Sequence, residues 1–300
     1  MYQKNIWKDA DATKTEKITA FCEDYKKFLS YAKTERLAVE ETERIAREHG
    51  FKKFDEVKEI KAGEKIYFIN KNKNVILYRM GKKPLSEGMR ILGAHIDSPR
   101  LDLKQNPLYE SEGFALFDTH YYGGIKKYQY VTTPLAIHGV VCKKDGTTVK
   151  VNVGECDDDP ILGISDLLIH LSQKQLTATA DKVVEGENLD VTVGSIPLNG
   201  EDDEPVKKNI LKIFKDKYGV EEDDFASAEL EIVPAGKARD YGLDRSMIAS
   251  YGHDDRVCAY TSLIALLDSD TEDYTACCVL VDKEEIGSVG ATGAASVFFE

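Results

Sequence analysis

The chain has 300 residues, of which 42% are hydrophobic and 31% are charged, a balance typical of a soluble globular protein with a sizeable core. Its formal net charge of −13 argues against nucleic acid as a partner, because the phosphates would repel it. The first nine residues lack the apolar core of a signal peptide, and no apolar run approaches the ~20 residues of a membrane span. The six cysteines are scattered, without Cys-x-x-Cys spacing. We therefore expect a cytoplasmic protein with no nucleic-acid or membrane partner.

The N-terminal third predicts helices followed by strands. Residues 13–50 are expected to form two helices, and Thr34 and Gly50 are start and stop signals of the second. Three strands are expected next: Lys65–Asn70, Asn74–Arg79 and a buried strand over 89–94. The first two would pair as a hairpin, and the third leads directly into His95.

The middle of the chain has a different texture. Short β-like runs, such as 135–141 and 147–153, alternate with turn clusters and charged loops. Helices are expected near 204–218 and over 161–176. We interpret residues 106–245 as an inserted, β-rich domain that interrupts the rest of the fold.

The remainder predicts an α/β domain built from two separate segments. Residues 257–267 indicate an apolar helix, and Thr275–Val281 indicates a buried strand. Together, 1–105 and 246–300 are expected to form a discontinuous catalytic domain, a mixed sheet with helices on both faces. Such sheets place their sites just beyond the carboxyl ends of strands, where His95 and Glu284-Glu285 fall.

Three short signatures occur in a fixed order in these segments. They are Gly-Ala-His-Ile-Asp-Ser-Pro at 93–99, His-Asp-Asp-Arg at 253–256 and Asp-Lys-Glu-Glu-Ile-Gly at 282–287. Each alone has a plainer explanation: a turn, a helix cap or an exposed loop. Together they supply the imidazole and carboxylates that hold hydrolytic metal ions and deprotonate a water between them.

The residue types and spacings favour particular roles. In extended chain His95 and Asp97 project to the same side, so Asp97 can orient the imidazole as a metal ligand. Asp254 can give one oxygen to each of two metals, with Asp255 supporting it. In the Glu284-Glu285 pair, one carboxylate can bind metal while the other accepts a proton from metal-bound water.

The set resembles the aspartyl aminopeptidase family of co-catalytic metallopeptidases (metallopeptidase family 18). The resemblance covers essentially the whole chain and is most specific at His-Ile-Asp-Ser-Pro (95–99) and Glu-Glu-Ile-Gly-Ser (284–288). It implies a zinc-peptidase-like aminopeptidase that acts on peptides with a free N-terminus. It also implies two divalent metal ions, with zinc favoured and manganese and cobalt open. The family's inserted β domain mediates homo-oligomerisation into tetrahedral dodecamers.

The resemblance implies a role for each matched residue. His95 and Glu285 would bind one metal, Asp254 would bridge both, Glu284 would be the general base, and Asp97 would orient His95. His138 matches a position thought to reach a neighbouring subunit's active site. It also lies in a strand-like run, so a core histidine is an equal alternative for this residue.

The chain departs from the family pattern in one respect. The family takes two further ligands, an aspartate and a histidine, from well beyond the Glu-Glu pair, whereas this sequence ends at 296–300 in what resembles an unfinished apolar helix. We therefore expect a truncated chain rather than a degenerate member. A non-catalytic assembly protein is the alternative from another class, and a related aminopeptidase or deacylase is a nearer one. The preferred N-terminal residue stays open.

One glycine-rich segment points to no function. Residues 287–293 follow a strand with Gly-x-x-Gly-x-x-Gly spacing, which differs from the Gly-x-Gly-x-x-Gly of dinucleotide sites. The sequence also contains no Gly-x-Ser-x-Gly elbow of a serine hydrolase. Nucleotide binding and serine-based hydrolysis are therefore disfavoured.

Overall fold

A computed structural model describes residues 4–270 and 273–299. The chain divides into two compact units. The first unit contains the residues up to Asp97, Lys237–Glu284, and the residues from Ser288 on. The second unit contains Ser98–Gly236 and Glu285–Gly287. In the part of the chain that is described, no helix is both long and apolar enough to cross a membrane.

Six α-helices, thirteen strands and six short 3-10 helices form the secondary structure of the described chain. The helices are α1 (Ala12–Tyr31), α2 (Glu35–Glu48), α3 (Lys127–Tyr130), α4 (Gln173–Leu176), α5 (Pro205–Tyr218) and α6 (His253–Asp268). The strands are β1 (Lys52–Lys53), β2 (Lys65–Asn70), β3 (Asn74–Arg79), β4 (Met89–His95), β5 (Arg100–Ser111), β6 (Phe114–Tyr122), β7 (Leu135–Cys142), β8 (Thr148–Val153), β9 (Val191–Gly194), β10 (Ala228–Pro234), β11 (Arg239–Tyr241), β12 (Met247–Ala249) and β13 (Thr275–Val281).

The helices and hairpin near the N-terminus follow from local signals. The Thr34 side chain accepts a hydrogen bond from the N–H of Leu37 and so caps α2. Gly50, at φ +82°, allows the chain to leave that helix in the left-handed conformation. Strands β2 and β3 pair antiparallel through a turn in which Lys71 and Asn72 both have positive φ. The predicted pair of helices and the predicted hairpin are confirmed.

The first unit is built on a five-stranded mixed sheet of order β1-β2-β3-β13-β4. Strand β13 is antiparallel to β3 and parallel to β4. On one face of the sheet, Tyr67, Leu77 and Cys278 share a buried core with residues of α1, α2 and α6. The predicted α/β class with a mixed sheet is confirmed.

Strand β4 is correctly predicted in position but not in burial. It lies at the edge of the sheet, with β13 as its neighbour. Ile91 is 51% exposed and Leu92 is 41% exposed. The apolar sequence of β4 predicted a buried strand. In the described chain, however, the outer edge of β4 has no partner strand.

The apolar helix predicted at the end of the sequence does not form. Residues 290–298 form turns and bends, and position 300 lies outside the described residues. Phe298 and Phe299 line an apolar groove of about 190 Å³ together with Ile91, Val279 and Val281. The apolar run therefore packs beside the open edge of the sheet without forming a helix.

The second unit is mostly β. Its six-stranded antiparallel sheet has the order β8-β7-β10-β5-β6-β9. Helix α5 packs Val206, Ile210 and Phe214 into the core of this unit. The prediction of a helix over 161–176 is wrong, because only Gln173–Leu176 is helical there.

Candidate metal and catalytic site

Two neighbouring parallel strands bring the candidate residues together. Strand β4 ends at His95 and β13 ends at Val281, and these two residues are paired in register. The N–H of Ile96 donates to the carbonyl of Val281 and extends this pairing past His95. The segments that follow both strands therefore emerge side by side at one edge of the sheet, where α/β sheets place their sites.

Asp97 joins these two segments. Its side chain is fully buried, and its Oδ1 lies 3.2 Å from Nδ1 of His95. The same Oδ1 accepts a hydrogen bond from the N–H of Glu284, also at 3.2 Å. An acidic partner on Nδ1 fixes the ring and leaves Nε2 free to act as a ligand. One buried carboxylate thus aligns both the imidazole of His95 and the backbone of the Glu284-Glu285 pair.

The other side of the imidazole faces carboxylates. Nε2 of His95 lies 3.3 Å from Oδ1 of Asp254 and 3.8 Å from Oε2 of Glu284. The His95 side chain is 10% exposed, whereas the Asp254 side chain is 84% exposed. A shielded nitrogen surrounded by accessible carboxylate oxygens is a donor set suited to a divalent cation.

Asp254 is positioned by an irregular start of α6. Gly252 precedes the helix with φ +82°, and a Cβ at this position would overlap the buried guanidinium of Arg256. Nη2 of Arg256 donates to the carbonyl of Lys33, which anchors this turn to the core. Asp254 and Asp255 have non-helical dihedrals and are joined by a cis peptide bond. Asp254 therefore precedes the regular part of the helix instead of packing along its flank.

His253, the histidine beside Asp254, is occupied elsewhere. Its Nδ1 lies 3.0 Å from the hydroxyl of Tyr25, and its Nε2 lies 3.1 Å from the carbonyl of Ile248. Both ring nitrogens therefore have protein partners, and His253 is a poor candidate for a ligand.

The two glutamates lie in a short turn directly after β13. Glu284–Ile286 forms one turn of 3-10 helix, preceded by Lys283 in the left-handed region at φ +67°. His95, Glu284 and Glu285 each offer one ligand atom, and these three atoms lie within 4.8 Å of one another. Because the turn breaks the alternation of a strand, adjacent glutamates need not point to opposite sides.

Electrostatics favour a positive charge at His95. Burial of the ring lowers its pKa, but the hydrogen bond and negative charge of Asp97 and the charge of Asp255 outweigh this effect. The pKa of His95 is raised to about 9 as a result. A metal ion that binds this ring would therefore have to displace a proton below about pH 9.

Asp282 and Thr292 were given no role by the sequence. Asp282 is buried at the end of β13, and its Oδ2 accepts a 2.7 Å hydrogen bond from the hydroxyl of Thr292. Burial and the nearby negative charge of Glu35 raise the pKa of Asp282 to about 6. The sequence signal was an acidic residue closing an apolar strand, but its partner lies ten positions away in the glycine-rich segment.

His138 lies in the second unit, on strand β7. Its side chain is 2% exposed, and its Nε2 lies 3.0 Å from Oε1 of Glu155. The other oxygen of Glu155 accepts a hydrogen bond from the N–H of Gly236. These contacts favour the core-histidine alternative, although Nδ1 of His138 is buried without a hydrogen-bond partner.

Comparison with known proteins gives close relatives. The sequence matches the aminopeptidase I zinc metalloprotease family (M18) over residues 28–300. It is 54% identical to a probable M18 family aminopeptidase 1 of Clostridium acetobutylicum, over 99% of this chain and 65% of that protein. The crystal structure of an M18 family aminopeptidase from Thermotoga maritima matches with a TM-score of 0.94 and 46% identity, over 100% of this chain and 65% of that one.

A more distant structure shares the fold alone. The S. cerevisiae mApe1 dodecamer matches with a TM-score of 0.69 and 21% identity, over 91% of this chain and 62% of that chain. The chain spans about 65% of the length of the related proteins from Clostridium acetobutylicum and Thermotoga maritima.

The raised pKa of His95 predicts a pH-dependent affinity for metal. A metal ion must displace the ring proton, so the apparent affinity should rise with pH, by up to ~10-fold per unit, until about pH 9. Asp97→Asn removes the charge that holds this pKa up, so its affinity should level off at lower pH. The plateau should lie ~10- to 100-fold below that of the wild type, because the ring is less firmly oriented.

Competition between the metal-depleted protein and a zinc-binding dye, repeated across this pH range, measures both effects. Asp270→Asn controls for the loss of one negative charge, because its side chain is 99% exposed. A wild-type affinity that does not change with pH, or an Asp97→Asn profile identical to the wild type, would contradict the prediction.

Proposed function

The chain belongs to the aminopeptidase I zinc metalloprotease family (M18), and we propose that it carries catalytic residues of a metal-dependent aminopeptidase. The observation that supports this most directly is the arrangement around His95. One ring nitrogen is held by the buried Asp97, while the other faces Asp254 at 3.3 Å and Glu284 at 3.8 Å.

The residues present suit a divalent metal ion. Imidazole nitrogen and carboxylate oxygen together are ligands that zinc accepts readily, and manganese and cobalt tolerate the same mixture. The fit is supported by the geometry, since Nε2 of His95 faces carboxylate oxygens of Asp254 and Glu284. We assign His95 and Glu285 to one ion and propose Asp254 as a bridge to a second ion of the same kind.

The chemistry divides between the metal and the protein. When bound, divalent metal supplies Lewis acidity, which makes water nucleophilic near neutral pH and polarises a carbonyl. Glu284 would accept the proton of the attacking water and pass it to the departing amine. Asp97 would keep His95 in one orientation throughout. The free N-terminus of a peptide would be recognised by the metal or by acidic groups of the site.

Substitution of Glu284 separates the general base from a metal ligand. Glu284→Gln keeps the size of the side chain but removes its ability to accept a proton. In the full-length protein, the turnover of aminoacyl-chromogen substrates should fall ~100-fold or more. The metal content, measured by elemental analysis, should stay near that of the wild type.

Glu285→Gln is the matched variant on the neighbouring residue. It should lose metal together with activity, since an amide oxygen is a weaker ligand than a carboxylate. Metal loss in Glu284→Gln would instead make Glu284 a ligand. Zinc-loaded full-length protein that cleaves no member of an aminoacyl panel would favour the non-catalytic alternative.

We also propose that the chain self-associates through its second unit. This unit exposes a run of large apolar side chains, Leu167, Leu168, Ile169 and Leu171, each more than half accessible. Contiguous apolar patches of this kind are uncommon on monomers and mark interfaces. A homo-oligomer, with the tetrahedral dodecamer as the family expectation, would cover them.

All six cysteines are free, which supports the prediction of a cytoplasmic location.

Two charges in this apolar run test the self-association. The double variant Leu168→Glu, Ile169→Glu should weaken assembly ~100-fold or more, because each buried leucine or isoleucine contributes ~1.5–3 kcal/mol. Light scattering after size-exclusion chromatography measures the mass. Lys144→Glu, an 85% exposed position in the same unit, is the control. A monomeric wild type, or a double variant of unchanged mass, would contradict the proposal.

A further inference from the structure

The glycine-rich segment that follows the Glu-Glu pair is part of a closed loop. The loop starts at Asp282, carries Glu284 and Glu285, and returns to the sheet at Thr292. Its two ends are joined twice. The N–H of Asp282 donates to the carbonyl of Thr292 at 3.3 Å, and the hydroxyl of Thr292 donates to the carboxylate of Asp282 at 2.7 Å. Both side chains are buried, at 1% and 4% exposure.

The closed end of the loop is anchored to the neighbouring hairpin. The side-chain amide of Asn74, a buried residue at the start of β3, donates to the carbonyl of Thr292. The amide of Asn70, at the end of β2, donates to the carbonyl of Ala291 at 2.9 Å. The returning segment of the loop is therefore attached to the sheet by two asparagines in addition to Asp282.

Glycine allows the loop to close so tightly. A Cβ at Gly293 would overlap the carbonyl oxygen of Ser288, and Gly290 has φ +75°. Within the loop the N–H of Ser288 donates to the carbonyl of Lys283 at 2.6 Å. The glycine spacing that resembled a nucleotide loop thus has a conformational explanation, since the turns of this loop exclude larger residues.

We infer that Asp282 and Thr292 are positioning residues, which latch this loop and thereby hold Glu284 in place as the general base. The inference rests on the proposed function of Glu284. The backbone of Glu284 is held by Asp97, but its side chain is 57% exposed and has little packing of its own. A loop held at its closed end limits the drift of that carboxylate relative to His95, and catalysis is sensitive to displacements of about 1 Å.

The hydroxyl of Thr292 can be removed while the shape of the side chain is kept. Thr292→Val should leave the protein folded and KM within about twofold, while kcat falls by about tenfold or more. Thr292→Ser retains the hydroxyl and should restore most of kcat. Thr261→Val is the control, because that hydroxyl bonds only to its own helix. A purely structural role would change the yield and thermal stability of the protein without splitting kcat from KM.

Hydrogen exchange tests the latch independently of catalysis. The N–H groups of Glu284 and Ser288 are the reporters, since each donates a hydrogen bond within or beneath the loop. Their exchange should quicken by about tenfold or more in Thr292→Val, whereas that of α2 should not change. If Thr292→Val is destabilised throughout, Asp282→Asn serves instead. It keeps the side-chain volume but replaces one of the two oxygens that accept from the Thr292 hydroxyl and the N–H of Lys283 with an NH2 donor, so one of these bonds is lost. The same local loosening is expected there.

The outcomes separate the latch from the proposed function. Unchanged exchange at Glu284 and Ser288 in both variants would overturn the latch, whatever the activity. Quickened exchange with unchanged kcat would overturn the positioning role. No rescue by Thr292→Ser would show that the hydroxyl is not the cause. Full-length wild-type protein with a protected loop and no turnover would contradict the proposed function, and with it the catalytic part of this inference, but not the latch.

Discussion

The candidate site depends on one buried carboxylate. Asp97 lies where two parallel strands end, and a single oxygen of its side chain meets both the His95 ring and the N–H of Glu284. Burying a carboxylate costs free energy unless its oxygens accept hydrogen bonds. The positions of the His95 ring and of the Glu284 N–H are therefore constrained together with that of Asp97. The ring orientation, its raised pKa and the start of the glutamate turn all follow from that contact.

Three distant segments of chain supply the site, and the fold explains how they meet. His95 ends β4, Glu284 follows β13, and Asp254 opens α6, the helix that leads into β13. The parallel pairing of β4 and β13 brings the first two together. The Arg256–Gly252 packing then fixes the irregular turn that presents Asp254. The site therefore needs the sheet register and the helix start at once, and neither alone would assemble it.

Local signals in the sequence were sufficient for α2, the β2–β3 hairpin and the two strands that lead to the site. The cap at Thr34 and the turn at Lys71 and Asn72 act over a few residues, so they can be interpreted without tertiary structure. The exposure of β4 could not be predicted, because burial depends on which strands are neighbours. The Asp282–Thr292 bond was missed for the same reason. The candidate site residues were predicted from the chemistry of the three signatures and from the family resemblance, whereas their distances and pKa values required the fold.

Anomalous diffraction at the zinc absorption edge, from crystals of the zinc-loaded protein, tests the central claim most directly. We predict a peak ~2.0–2.1 Å from Nε2 of His95, with carboxylate oxygens of Glu285 and Asp254 at ~2.0–2.2 Å. Nδ1 of His95 would remain on Asp97. A peak bound elsewhere, or no peak beside His95 at saturating zinc, would contradict the assignment of these residues as a metal centre.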